Sequence, residues 1–180
     1  MKLTRYKEGD RQTLANFKNL YAAAFPKEER KPFKMITKMH SEGRVDMMKI
    51  EGDGGEFLGL AFTVLGEKLV LLDYFAISEE QRCRGYGRAA LELIKKRYPE
   101  RPILIEIEDP DEKCPNREER LRRLKFYREC EMEINPYRIT LFGVNMIMLS
   151  YGGAVSFEDY KALYITIIPK KSADKNVLLR

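Results

Sequence analysis

Apolar residues in the first stretch of the chain recur at helical spacing. Leu14, Phe17, Leu20, Tyr21 and Ala24 fall on one face of a segment from residue 11 to 24, the pattern of a helix that buries one stripe. A short strand is predicted before it, near residues 2 to 6, with Gly9-Asp10 as the intervening turn. A second, more basic helix is predicted over much of residues 27 to 40. It is interrupted before Pro32, because a proline disfavours the helical region for the residue ahead of it, and Gly43 marks its exit. From Asp46 the pattern changes to apolar runs at 47 to 50, 57 to 65 and 69 to 77, separated by Gly52-Asp53-Gly54-Gly55 and Gly66-Glu67-Lys68. Three strands joined by short turns predict an antiparallel meander.

Further elements follow in the order glycine-bearing loop, helix over 85 to 98, strand over 103 to 108, helix over 117 to 131, and strands over 137 to 142 and 145 to 151. A last amphipathic helix is predicted from Ser156, with Asp159 as an imperfect capping-box partner and Phe157, Tyr160, Leu163, Tyr164 and Ile167 along it. It is read as an appended helix, open to two roles: a cover for the sheet or a homodimer contact. The tail around Lys170-Lys171 is expected to be mobile. Together the elements predict an α/β fold with a mixed, mostly antiparallel sheet of about seven strands flanked by helices. The domain is expected over residues 1 to 151, with a helical extension and tail over 152 to 180.

Composition narrows the picture. With 180 residues and 44% hydrophobic content, the chain can bury a substantial core. The net charge of +5 is a mild excess that suits an anionic partner. Cys83, Cys114 and Cys130 form neither an even set nor a C-x-x-C pair, so neither a disulfide framework nor a metal site is expected. A reducing compartment is the default for such a set. No apolar run approaches membrane-spanning length, and the protein is expected to be soluble and cytoplasmic.

The chemistry concentrates at one junction. Residues 69 to 77 are apolar enough for a central strand, and Gly85-Tyr86-Gly87 opens a helix whose apolar positions include Ala90, Leu91 and Ile94. A helix start offers unpaired N–H groups and the positive end of a dipole, and glycine permits close backbone approach, so an anion such as phosphate belongs there. Arg82, Arg84 and Arg88 reinforce the field. Gly85-Tyr86-Gly87-Arg88-Ala89-Ala90 also reads G-x-G-x-x-A, with Glu106 downstream, as in a dinucleotide fold. That fingerprint needs its first glycine directly after the strand in a parallel series. Here residues 78 to 84 intervene and the preceding strands look like hairpin partners. Two glycines shaping a bare surface turn is the remaining reading, and the strand, basic cluster and helix in register argue against it.

The segment Phe75-Ala76-Ile77-Ser78-Glu79-Glu80-Gln81-Arg82-Cys83-Arg84-Gly85-Tyr86-Gly87 resembles the central motif of the GCN5-related N-acetyltransferase (GNAT) superfamily. Arg82, Gly85 and Gly87 occupy its Q/R-x-x-G-x-G/A positions, and the order of elements is similar to that family's fold. The resemblance covers about residues 1 to 151 and is specific over 69 to 98. It implies direct transfer of an acetyl group from acetyl-CoA to the amine of a small acceptor, with no metal. It further implies that backbone amides across Arg82, Cys83, Arg84, Gly85, Tyr86, Gly87 and Arg88 hold the pyrophosphate, while Phe75 and Ile77 pair with the pantetheine arm. Cys83 falls at an x position.

An acid and a base are then needed. The resemblance points to Tyr127 as the acid for the departing thiol, although Leu121, Leu124 and Tyr127 also form an ordinary apolar stripe. Glu131-Met132 stand where the family commonly has glycine and phenylalanine, a departure at the end of that helix. Asn116 resembles a CoA-contacting position and equally reads, with Glu119, as a helix cap. For the base, Asp73 in its apolar strand and Glu106 come first, with Glu108 behind them. Asp73 shares a face with Leu71, Phe75 and Ile77, so its charge needs a cleft or a partner. Glu106 and Glu108 lie opposite Ile103, Ile105 and Ile107. Glu28 or Glu29, in the stretch the family commonly uses as an acceptor wall, could attract a cationic amine or simply start a helix. His40 is read as a surface residue.

Two other classes stay open. A non-catalytic acyl-CoA-binding module would keep the phosphate site and lack the acid and base. A nucleic-acid binder would rest on Arg117, Arg120, Arg122, Arg123, Lys125 and Arg128, a helix diluted by Glu118, Glu119 and Glu129.

Overall fold

The computed structural model describes all 180 residues apart from the side chain of Glu28. The chain forms two compact units, residues 1–65 with 72–97 and residues 66–71 with 98–180. Strand β4 (Val70–Ile77) contributes to both.

The first unit carries β1 (Lys2–Arg5), α1 (Arg11–Ala24), α2 (Phe33–Ser41), β2 (Val45–Glu51), β3 (Phe57–Leu65), most of β4, and α3 (Tyr86–Arg97). β1 pairs with β2 and β2 with β3, both antiparallel, with Leu3 opposite Ile50 and Met47 opposite Phe62. The Asp10 carboxylate accepts the Thr13 N–H and starts α1. Pro32 precedes the first residue of α2, whose exit is a glycine in the left-handed region, Gly43 at φ +73°. There Gly43 N–H donates to the His40 carbonyl and Arg44 N–H to that of Met39, the paired bonds of a Schellman ending. β3 is buried on both faces, which explains its continuous apolar run. Gly59 is required on it, since an added Cβ would lie 2.3 Å from the Ala76 carbonyl oxygen of β4. Phe17, Tyr21, Phe25, Phe33, Phe62 and Tyr74 form an aromatic core, with edge-on contacts down to 4.7 Å between the Tyr21 and Tyr74 ring centroids.

His40 departs from the surface reading. It is buried, with Nδ1 2.8 Å from the Val45 carbonyl oxygen and Nε2 3.1 Å from that of Tyr6. The long-range approach of α2 to β1 and β2, invisible in the local pattern, turns a polar helix residue inward.

The second unit begins with the start of β4, parallel to β5 (Ile103–Glu108) through Val70 opposite Ile103 and Leu71 opposite Leu104. α4 (Arg117–Glu129), β6 (Glu133–Leu141), β7 (Val144–Tyr151), α5 (Phe157–Ile167), α6 (Lys170–Asn176) and β8 (Val177–Leu179) follow. β7 is antiparallel to β5 and β6, and β8 is antiparallel to β6. The strand order is β1-β2-β3-β4-β5-β7-β6-β8, a mixed sheet of eight strands where about seven were expected. The extra strand comes from the tail. Far from being loose, residues 170–179 form α6 and β8, anchored by fully buried Ala173 and Val177. β6 also starts earlier than predicted, with an irregularity between Ile134 and Arg138 around Pro136, a residue without an N–H for the ladder. The Ser156 hydroxyl caps α5 by accepting the Asp159 N–H.

Candidate active site

β4 runs out at Ile77, where the Ser78 N–H donates to the Leu58 carbonyl and a short 3-10 turn follows at Glu79–Gln81. The Arg82 N–H closes that turn on the Glu79 carbonyl at 3.2 Å, and the next backbone bond runs from Ala89 N–H to the Gly85 carbonyl at 3.1 Å. Between them the N–H groups of Cys83, Arg84, Gly85, Tyr86 and Gly87 donate to no backbone acceptor among the described residues. Cys83 and Gly85 both take left-handed conformations, φ +60° and +80°. Successive N–H groups turned by left-handed residues make a concave anion-binding nest, here continuous with a helix start. The space beside Gly85 is open, with nothing within 4 Å of an added Cβ. Such a site fits a pyrophosphate.

The side chains around it divide their duties. Arg82 Nε donates to the Ile77 carbonyl at 3.3 Å and Arg84 to Gln81 Oε1 at 3.4 Å, so both also brace the loop. Cys83 is exposed. Phe75, Ile77 and Tyr86 pack on a small core of Ile50, Leu58 and Ala90, and Arg88 is engaged. Phe75 and Ile77 lie past the last β4 residue, Leu71, in the β4–β5 ladder.

Asp73 has the partner its apolar strand demanded. Lys31 Nζ donates to Asp73 Oδ1 at 2.6 Å, with side chains 16% and 8% exposed. The Lys31 backbone is held separately: its N–H donates to the Tyr74 hydroxyl and its carbonyl accepts from the Tyr21 hydroxyl, both at 3.0 Å. The Tyr74 hydroxyl in turn donates to the Glu29 carbonyl at 3.1 Å. Burial, and then the hydrogen bond with Tyr74, push the Tyr21 hydroxyl well above its ordinary pKa. Of the two carboxylates expected in this wall, Glu28 has its side chain outside the described residues.

The second unit holds the remaining candidates. Tyr127 is 7% exposed on α4 beside Phe126, and its hydroxyl has no hydrogen-bond partner among the described residues. Burial pushes its pKa up to about 12, against a lowering by Arg123 and with a further rise from Cys130. Glu106 accepts a hydrogen bond from the Tyr160 hydroxyl of α5 at 2.6 Å. Tyr160 and Tyr164 are buried within the chain itself. Glu108 is bound to Arg120 and Arg123. Asn116 stands at the start of α4 but makes no capping bond; its Oδ1 accepts from Arg120 Nε at 3.1 Å. Lys31 and Tyr160 were missed by the sequence reading. The first sits in a charged loop without periodicity, and the second was absorbed into an apolar stripe.

Among the described residues no group of three or more histidine, cysteine or acidic side chains is placed to hold a metal ion. No helix is long and apolar enough to cross a membrane. The basic face of α4 is partly neutralised: Arg120 and Arg123 pair with Glu108, and Lys125 with Glu129.

No protein-family model matches the sequence, and no curated protein matches it. Solved structures do. A Bacteroides thetaiotaomicron protein described as a GNAT-family acetyltransferase superposes with TM-score 0.78 at 19% identity, covering 93% of this chain and 96% of its own. An aminoglycoside 6'-N-acetyltransferase complexed with coenzyme A gives 0.64 at 12% identity, covering 84% and 96%. A Vibrio cholerae spermidine N-acetyltransferase in complex with CoA and spermine gives 0.60 at 13% identity, covering 83% and 94%. This chain therefore shares the fold of these solved acetyltransferases.

Proposed function

We propose that the protein is an acetyl-CoA-dependent N-acetyltransferase that acetylates a primary amine of a small acceptor by direct transfer. The observation that carries this reading is the run of undonated N–H groups from Cys83 to Gly87 between β4 and α3. Its support is the likeness in fold to acetyltransferases solved with CoA, whose acceptors by name are an aminoglycoside and a polyamine.

When bound, acetyl-CoA supplies an acetyl thioester. Backbone donors from Cys83 to Gly87 hold the diphosphate, the Arg82 N–H being already given to the Glu79 carbonyl, and the charges of Arg82, Arg84 and Arg88 add a field that favours an anion. Phe75 and Ile77 offer backbone groups to the pantetheine arm, and Asn116 is a further candidate contact. An ammonium cannot attack a carbonyl, so Asp73 or Glu106 accepts a proton from the incoming amine, directly or through water. The Tyr127 hydroxyl donates a proton to the departing sulfur. With its pKa pushed up to about 12 by burial, the hydroxyl keeps its proton throughout the physiological range.

A non-catalytic acyl-CoA-binding module is the second reading, favoured by the fact that Asp73 and Glu106 are both already engaged, by Lys31 and Tyr160. Calorimetry with CoA, acetyl-CoA and NAD tests the site, and turnover of acetyl-CoA with a panel of polyamines, amino acids, aminoglycosides and peptide amines separates the two readings. CoA and acetyl-CoA are expected to bind and NAD not. Measurable NAD binding without CoA affinity overturns the assignment.

A further inference from the structure

Asp73 is a candidate base, and an amine of the chain itself already sits on it. Lys31 Nζ is 2.6 Å from Asp73 Oδ1 and 5.4 Å from the centroid of the Tyr74 ring. A carboxylate at hydrogen-bond distance beside an aromatic ring is the constellation that holds an ammonium. We propose that this is the acceptor's ammonium site and that Lys31 is its built-in competitor, so that an aliphatic primary amine engages Asp73 by displacing Lys31 Nζ. The inference rests on the acetyltransferase reading and adds to it a position for the acceptor's ammonium and a resting state.

The ammonium of Lys31 is separable from the loop that carries it. The backbone bonds to Tyr74 and Tyr21, and the Tyr74 bond to the Glu29 carbonyl, fix the loop without using Nζ. A four-carbon stem can swing aside while these bonds persist. Simple removal of Nζ would leave a carboxylate, 8% exposed, without its compensating charge, which is strongly unfavourable. Replacement by a second ammonium restores the charge pair, so exchange of one primary amine for another is the low-energy way to open the site. A neutral alcohol offers no compensation, and a quaternary ammonium has no N–H for Asp73.

Lys31→Ala vacates Cγ to Nζ, leaving a space shaped for n-propylammonium. Wild type, Lys31→Ala and Lys31→Ala with Asp73→Asn are titrated with n-propylamine hydrochloride by calorimetry at neutral pH in the absence of CoA, with n-propanol and tetramethylammonium as controls. A competitor engaged nine-tenths of the time lowers apparent affinity about tenfold. Lys31→Ala is therefore expected to bind n-propylammonium at least about tenfold more tightly than wild type, to gain nothing for the two controls, and to lose the gain when Asp73→Asn is added. Should the alanine variant not fold, Lys31→Met titrated with methylammonium, which needs only the ammonium position, takes its place. Equal affinity in wild type and the folded Lys31 variant, or a gain that survives Asp73→Asn, overturns the inference. Because CoA is absent, this failure is distinct from a failure to bind CoA, which would remove the proposed function instead.

Discussion

Replacing Tyr127 by phenylalanine removes one oxygen from a residue that is 7% exposed and keeps the ring against Phe126. The hydroxyl has no hydrogen-bond partner among the described residues, so no internal bond is lost, and stability near neutral pH should change by less than about 1 kcal/mol. Two consequences follow from the same atom. As the acid for the departing thiol, its loss should slow the chemical step by roughly 100- to 10,000-fold while acetyl-CoA affinity stays unchanged. The second lies at high pH. The folded pKa, about 12, is raised above the ordinary tyrosine value of 10.0, so the group's contribution to stability is intact below pH 10 and is lost as pH rises through 12. A shift of this size corresponds to a contribution on the order of 2 to 3 kcal/mol. Denaturant unfolding from pH 8 upward should therefore show a shallower alkaline decline in Tyr127→Phe than in wild type, the residue left by Tyr21 and Tyr137, whose pKa values are also raised. Single-turnover assays with an accepted amine give the decisive measurement. A wild-type rate in Tyr127→Phe, with the alkaline effect present, would assign Tyr127 to packing alone and refute the catalytic role.

Two further substitutions address the backbone. Gly85→Ala should lower stability by about 1 kcal/mol, because an L-residue at φ +80° is strained even in open space. It should weaken CoA about 10- to 100-fold, the worth of one charge-assisted hydrogen bond; calorimetry showing wild-type CoA affinity in the folded variant would remove the loop from the site. Phe142 and Gly143, at φ +47° and +84°, form the two-residue turn between β6 and β7, a conformation that suits Asn-Gly far better. Phe142 is 54% exposed, so Phe142→Asn should stabilise by about 0.5 to 1 kcal/mol and raise Tm by about 1 to 4 °C, and a lowered Tm would contradict the turn argument.

What was legible in the sequence was local. α1 and β3 match their predicted bounds because caps and apolar periodicity are written within the segments themselves. The loop of undonated N–H groups was legible for the same reason: these groups are contiguous from Cys83 to Gly87, and Gly85 announces the left-handed turn. The left-handed Cys83 carried no such signal, since nothing about a cysteine predicts φ +60°. α6 and β8 escaped because residues 170–176 have little apolar patterning and β8 has only Val177–Leu179, whose order comes from pairing with β6. His40 and Asn116 escaped differently: each was assigned a local role, and a distant or sideways partner took it over.

The candidate base illustrates how far alternation alone can lead. It correctly demanded a cleft or partner for Asp73, because a carboxylate among apolar neighbours is unfavourable unless compensated. It gave no identity for that partner, which comes from Lys31, 42 positions away in the chain. Lys31 reaches Asp73 because Pro32 starts α2 and because two tyrosine hydroxyls, from α1 and β4, hold the backbone of residue 31 in place. The charge density of residues 25 to 33 thus had a specific structural meaning. Its aromatics Phe25 and Phe33 pack on Tyr74 and Tyr21, its backbone is tied to the same tyrosines by their hydroxyls, and one of its lysines is delivered to β4. A loop assembled only for solubility would not need two buried hydroxyls to set the position of a single lysine.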